Sequence, residues 1–169
     1  MKGKTLTLTW IMRSLAAFIA TLLLASCTSS QTEADISEYI DEEITIAGLL
    51  DEDFTITPGD LLELECVSRT ATGATAKAGT VNATGPLLDT FLAEYGYKAA
   101  DFDRIRFIAK DAYRTLLRYE YLTDYEVIMA VSSGSEPLAE DLRPMRLLIP
   151  EAESNMWIYC VIRIEFVHK

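Results

Sequence analysis

Glycine, proline, cysteine and histidine are all scarce in this sequence. Its 169 residues include 8 Gly, 5 Pro, 3 Cys and one His. So few Gly and Pro exclude a collagen-like or low-complexity chain. A single His, placed next to the C-terminus, excludes a Ser-His-Asp triad, and no zinc, P-loop or dinucleotide motif is present.

Positive charge is scarce as well. The chain carries 26 acidic and 15 basic residues, a formal net charge of −11. Phosphate backbones are bound by clustered Lys and Arg, so we expect no nucleic-acid partner. Half of the residues are hydrophobic, which is enough to bury the core of one globular domain.

The first 26 residues have the pattern of an export signal. Three bases, Lys2, Lys4 and Arg13, precede a short apolar run from Leu15 to Leu24, and this run is too short to span a bilayer comfortably. The residues that follow, Ala25, Ser26 and Cys27, resemble a bacterial lipobox. We therefore predict a lipoprotein signal peptide over 1–26, lipidation of Cys27, and anchoring at the extracytoplasmic face of a membrane.

The chain after the leader is strongly acidic. Residues 1–26 contain three bases and no acid, so 12 bases and 26 acids remain and the formal charge becomes −14. The first part, 27–43, is polar with little to bury and predicts an acidic tether. The acids Asp51, Glu52 and Asp53 lack the spacing of a calcium loop and predict a solvated surface.

A domain over 44–169 begins with patterns typical of short strands. Ile44 to Ile46 and Phe54 to Thr57 are β-branched and apolar, and a turn is expected at Pro58 to Asp60. Apolar and polar residues alternate from Leu62 to Ser68, which predicts a strand. The Ala, Gly and Thr-rich stretch from Thr70 to Thr84 predicts a loop with at most one short strand.

One amphipathic helix is expected in the middle of the domain. It should open at Pro86, stop at Gly96, and bury Leu88, Phe91 and Leu92 against the strands. A hairpin is predicted around Lys110 to Tyr113, with Ile105 and Phe107 facing the core. Further strands are expected at Val127 to Val131 and at Trp157 to Val167, and a loop and a short apolar run from Met145 to Ile149 lie between them. The fold class is therefore α+β, a mixed β-sheet domain with one clear amphipathic helix.

Several short motifs follow one another in an order that resembles a known family. They are the strand carrying Cys66, the helix opening Gly85-Pro86-Leu87-Leu88, the turn Lys110-Asp111-Ala112-Tyr113, the loop Ser133-Gly134-Ser135-Glu136-Pro137-Leu138, and the run from Arg143 to Pro150. Together they resemble the molybdopterin-binding domain of the sulfite oxidase family. The resemblance implies that Cys66 is a metal ligand and that Cys66, Arg69, Arg143 and Arg146 bind the cofactor. For the arginines, the alternative reading is structural: charge balance for Arg69, and a tie between loop and sheet for Arg143 and Arg146.

The sequence also departs from that family pattern. Val67-Ser68-Arg69 follows Cys66 in place of a Gly-Asn-type turn, and Ala112 stands where the family turn has Gly. The leader has the lone Arg13 and no twin-arginine pair, which suggests export of an unfolded and empty chain. These departures predict a non-catalytic binding or interaction module with no cofactor, whose partner is an unknown small molecule or protein. The alternative is a small molybdopterin-dependent oxidoreductase with Cys66 as metal ligand.

Cys66 and Cys160 are the two thiols that remain after lipidation. Outside the cytoplasm they are candidates for one disulfide. Alternatively, Cys66 lies in or beside a pocket near the loop from Thr70 to Thr84, as the resemblance implies, and Cys160 is a packed residue of the last strand.

Six basic residues also lie close together in the sequence, namely Arg69, Arg104, Arg106, Lys110, Arg114 and Arg118. The favoured interpretation is that they balance the charge of the acids, and the alternative is an anion site.

Overall fold

A computed structural model describes residues 34–72 and 79–169. The strands are β1 Ile44–Ala47, β2 Phe54–Ile56, β3 Cys66–Thr72, β4 Thr80–Pro86, β5 Phe102–Ala109, β6 Arg114–Arg118, β7 Ile128–Ala130, β8 Ser132–Ser133, β9 Glu136–Pro137, β10 Arg146–Leu148 and β11 Val161–His168. The α-helices are α1 Pro58–Leu62, α2 Leu88–Glu94 and α3 Tyr119–Asp124. Within these ranges no helix is long and apolar enough to cross a membrane.

The strands form three sheets. The largest has the order β2-β1-β11-β5-β6, in which β1 runs parallel to β11 and the other pairs are antiparallel. A second sheet has the order β3-β4-β8-β9, and β10 pairs with β7 in a third. Mixed sheets with few helices confirm the predicted fold class.

The main core lies between these elements. Ile105 and Phe107 alternate with half-exposed or exposed neighbours on β5, so one face of the strand is buried and the other faces solvent. On α2, Leu88, Phe91 and Leu92 are at most 2% exposed and belong to the same buried cluster as Ile105 and Phe107. The predicted buried face of the helix is therefore confirmed.

The helix ends as predicted but begins later. Gly96 has φ +80°, and the N–H groups of Gly96 and Tyr97 donate to the carbonyls of Ala93 and Leu92, the pattern of a Schellman end. At the other end, Pro86 still belongs to β4, where it pairs with Cys66. The helix can start only after the chain leaves this sheet, so its first residue is Leu88.

Three predictions near Cys66 differ from the structure: a turn, the start of a strand and a loop. The expected turn at Pro58 to Asp60 is the first turn of α1, because Thr57 caps it: the Thr57 hydroxyl accepts from the Asp60 N–H, and the Asp60 carboxylate accepts from the Thr57 N–H. The strand predicted from Leu62 therefore starts only at Cys66. The stretch predicted as a loop is largely a hairpin of β3 and β4, whose residues 73–78 lie outside the described residues.

The acidic segment 34–43 packs against the domain. Ile36 is 4% exposed and Tyr39 is 1% exposed, and with Leu138 they form a small buried cluster of their own. The expectation that this stretch has little to bury is wrong for its described part. The part from 27 to 33, including Cys27, lies outside the described residues.

Candidate functional site

Cys66 lines a cavity of about 610 Å³ where α1, β3 and β4 meet the N-terminal segment. Its place follows from the local sequence, since α1 ends at Leu62 and the chain enters β3 at Cys66. The Cys66 thiol lies 3.8 Å from the carbonyl oxygen of Leu61. The described residues that line the cavity are Ala34, Ile36, Leu62, Leu64, Cys66, Ser68, Thr84, Ser132, Gly134 and Ser135.

The cavity has an apolar and a polar part. Ala34, Ile36, Leu62 and Leu64 supply hydrocarbon, and the strands β3, β4 and β8 supply hydroxyl groups. Ser68 and Thr84 are cross-strand partners whose hydroxyl oxygens are 2.7 Å apart. This lining suits an uncharged ligand with both apolar and hydrogen-bonding groups.

The two cysteines are not joined in a disulfide. Cys160 precedes β11 with φ +50°, and its thiol donates to the carbonyl of Asp141. Burial raises the pKa of the Cys160 thiol, so it stays protonated and weakly nucleophilic at neutral pH. Cys66 is thus placed at a cavity and Cys160 away from its described lining. A ligand role for Cys66 stays a prediction.

Arg69 does not line the cavity with Cys66. It forms a two-pronged ion pair with Glu126, with Nε–Oε2 at 2.9 Å and Nη2–Oε1 at 3.1 Å. This contact raises the pKa of Arg69 and lowers the pKa of Glu126. The geometry supports a structural role for Arg69.

Arg143 ties the loop before β10 to the N-terminal segment. Its Nη1 lies 2.6 Å from a carboxylate oxygen of Glu38, and its Nε donates to the carbonyl of Leu138 at 2.9 Å. The guanidinium carbon also lies 4.7 Å from the ring centre of Tyr39. These contacts agree with the structural reading of Arg143.

Arg146 is buried, and its Nε and Nη2 have no hydrogen-bond partner among the described residues. Its guanidinium lies 5.0 Å from the ring centre of Tyr159, and desolvation lowers the pKa of Arg146. A buried cation with orphaned donors is costly unless an anion or water satisfies it. Of the four predicted site residues, Arg146 is the one whose donors call for a ligand, although it is outside the described lining of the Cys66 cavity.

Most of the remaining bases in the sequence cluster pair with acids. Arg106 contacts Glu165 at 2.6 Å, Lys110 contacts Glu42 at 2.9 Å, and Arg104 lies 3.5 Å from Asp103. The structure thus favours charge balance over an anion site for these three residues. Asp51, Glu52 and Asp53 are exposed, and no group of three or more His, Cys, Asp or Glu able to hold a metal ion occurs in the part of the chain that the structure describes.

Sequence reasoning missed the contribution of the N-terminal segment to the cavity. Ala34 and Ile36 line it, and Tyr39 holds the segment in place through its hydroxyl, which donates to the carbonyl of Val131 and accepts from the N–H of Leu138. The spacing of Ile36, Tyr39 and Ile40 is that of one apolar face of a helical turn. This apolar spacing within the acidic stretch could have predicted that the segment packs against the domain.

A family model for the oxidoreductase molybdopterin binding domain matches residues 31–169. Among solved structures, the sulfane dehydrogenase SoxCD from Paracoccus pantotrophus is similar in fold, with a TM-score of 0.62 and 24% sequence identity over 77% of this chain and 39% of that one. This chain therefore spans well under half of the length of that relative. No curated protein matches. The family model matches most of this chain, which shows that the chain belongs to the oxidoreductase molybdopterin-binding domain family.

Proposed function

We propose that this protein is an extracytoplasmic lipoprotein whose molybdopterin-type domain is a non-catalytic binding module. Its binding site is the cavity lined by Cys66, and its ligand is an uncharged small molecule with an apolar side. Family membership supplies the fold, and the described lining of this cavity supplies the rest of the argument.

The observation that carries the proposal is the lack of a basic side chain in the described lining of the Cys66 cavity. Molybdopterin carries a phosphate, which proteins hold with Arg or Lys groups and charge-assisted hydrogen bonds. Two of the three candidate arginines are engaged elsewhere, Arg69 by Glu126 and Arg143 by Glu38. The residues around Cys66 therefore do not fit the cofactor as a set.

Metal and pterin analysis tests this proposal. The full chain is produced in a host that makes molybdopterin, once with its own leader and once with a twin-arginine leader, and molybdenum is measured per mole of protein. We expect no stoichiometric molybdenum in either preparation, and unchanged folding of Cys66→Ser by circular dichroism. Stoichiometric molybdenum that is lost in Cys66→Ser would overturn the proposal.

One observation favours the alternative, a small molybdopterin-dependent oxidoreductase. The buried Arg146 has two donor atoms without partners in the part of the chain that the structure describes, which fits an anionic group held inside the domain. In that case Arg146 would hold the anion and the Cys66 thiolate would ligate molybdenum, which supplies two-electron redox chemistry when bound. Arg146→Gln separates the readings: it should lower cofactor content under the alternative, and leave metal content unchanged at background under our proposal.

The anchor is a separate part of the proposal. Cys27 follows the small residues Ala25 and Ser26 and is the residue able to accept lipid at this lipobox. Cys27→Ala should leave uncleaved or released protein in place of the anchored form. Detergent-phase partitioning reads this directly, with Cys160→Ala as the control that should still partition as wild type does. Equal partitioning of Cys27→Ala and wild type would contradict the anchor.

A further inference from the structure

Residues 34–43, which we call the N-terminal strap, contribute part of the wall of the Cys66 cavity. Ala34 and Ile36 belong to its lining together with Leu62 and Leu64. Ile36 is also buried against Tyr39 and Leu138. Removing the strap would therefore take an apolar wall away from the cavity and expose Cys66 more fully.

The strap is attached through a small core that is separate from the main one. Ile36, Tyr39 and Leu138 form their own buried cluster, while the sheets and α2 share the large cluster. A segment held by few apolar contacts opens at a lower free energy than the core of its domain. Leu62 is the partly buried residue that packs against both clusters, so opening of the strap would disturb few contacts of the main core.

Specific polar contacts hold the strap closed. The Tyr39 hydroxyl donates to the carbonyl of Val131 at 2.7 Å and accepts from the N–H of Leu138 at 2.9 Å. Arg143 contacts Glu38 at 2.6 Å, and its guanidinium lies over the Tyr39 ring. The Glu38 side chain is 74% exposed, so its ion pair with Arg143 is weak and sensitive to salt.

We propose that the N-terminal strap is a gate over the Cys66 cavity, held by Tyr39 and by the ion pairs of Glu38 with Arg143 and of Glu42 with Lys110. Opening of the strap admits the small molecule. This inference rests on the proposed binding role of the cavity. Because the strap is the described part of the predicted tether over 27–43, a pull on the anchored end would act on the gate first.

The accessibility of Cys66 tests the gate. Full-length protein is treated with the uncharged thiol reagent 4,4′-dithiodipyridine, and the modification rate of the Cys66 peptide is followed by mass spectrometry. Glu38→Gln removes the ion pair, and we expect the rate to rise about two- to fivefold, as for the loss of one exposed ion pair. Tyr39→Phe and Ile36→Ala should raise it about tenfold or more, since they remove buried contacts.

Glu43→Gln is the matched control, since Glu43 is an exposed acid of the same segment and forms no ion pair among the described residues. Its rate should equal that of wild type. Equal rates in wild type, Glu38→Gln, Tyr39→Phe and Ile36→Ala would overturn the gate, and so would an equal rise in Glu43→Gln. Each sample is first analysed for molybdenum. Bound metal would show that the proposed function is wrong, whereas unchanged modification rates would show that the gate is wrong.

Discussion

The hydroxyl of Tyr39 donates a hydrogen bond of 2.7 Å to the backbone carbonyl of Val131, a residue 92 positions later in the chain. Tyr39 is 1% exposed, so this bond is made away from water. One side chain from the acidic N-terminal segment thus ties that segment to the chain between β7 and β8.

Removing that hydroxyl should destabilise the domain. Tyr39→Phe leaves the Val131 carbonyl and the Leu138 N–H without their partner, and a buried unsatisfied group costs about 1 to 3 kcal/mol. We expect the free energy of unfolding in urea to fall by that amount. Tyr113 is 53% exposed, so Tyr113→Phe should change the free energy of unfolding by less than about 0.5 kcal/mol. Equal effects of the two substitutions would contradict the role of Tyr39.

The turn between β5 and β6 should be improved by glycine. Ala112 has φ +66°, a left-handed conformation that costs an L-residue about 1 kcal/mol relative to Gly. Ala112→Gly should therefore stabilise the protein by up to about 1 kcal/mol, measured by thermal or urea unfolding. Ala100→Gly, at an exposed position outside the left-handed region, should instead destabilise. A loss of stability in Ala112→Gly would contradict the strain.

Gly85 permits the close approach of β4 and β7. A Cβ atom at this position would overlap the carbonyl oxygen of Met129 and crowd the Cα of Ala130. Because both contacts are with backbone, the strands would have to separate, and Gly85→Ala should destabilise by about 3 kcal/mol or more. Gly79→Ala has open space around the new methyl group and should lose only about 1 kcal/mol from its positive φ. Similar losses in both variants would contradict the packing argument.

Phe91 should be the most costly truncation on α2. It is 2% exposed within the main core, and Phe→Ala substitutions in cores cost about 3 to 5 kcal/mol. Leu50→Ala, at a residue that is 46% exposed, is the control and should cost less than about 1 kcal/mol. Urea unfolding of both variants measures the difference. A loss below about 1 kcal/mol at Phe91 would show that the helix does not depend on this contact.

Glu165 should make stability depend on acidic pH. A hydrogen bond from Arg163 and, to a smaller degree, one from Arg106 lower the pKa of Glu165 below its ordinary value of 4.5. A carboxyl whose pKa is lowered in the folded state adds stability above its unfolded pKa and loses it as pH falls through the folded pKa. Glu165→Gln should therefore be less stable than wild type by about 1 kcal/mol at neutral pH. The difference should shrink as the pH falls through the folded-state pKa of Glu165, which lies below 4.5.

Urea unfolding between neutral and acidic pH gives this dependence. Glu151→Gln, at an exposed carboxyl, is the matched control and should follow wild type at each pH. A constant difference between wild type and Glu165→Gln over the whole range would show that the carboxylate charge is not responsible.

Local sequence patterns predicted the elements that depend on local geometry. Gly96 ends α2 because a helix end needs a left-handed residue there, and Ile105 and Phe107 are buried because side chains alternate along a strand. The start of α2 and of β3 could not be read in the same way. Pro86 suits a first helical turn, but its pairing with Cys66 keeps it in the sheet, and a pairing partner 20 positions away is not visible in a local pattern.

The sequence by itself determined the family, the α+β class, the end of the helix and the hairpin of β5 and β6, because each depends on motif order or on backbone periodicity. Only the tertiary structure decided what surrounds Cys66. The strap reaches the cavity through Tyr39 and Leu138, 99 positions apart, and through Glu38 and Arg143, 105 positions apart. From the sequence alone, Arg143 could contact either a cofactor or a glutamate. The folded structure decides between them, because long-range contacts are set by the packing of whole elements and not by the spacing of residues.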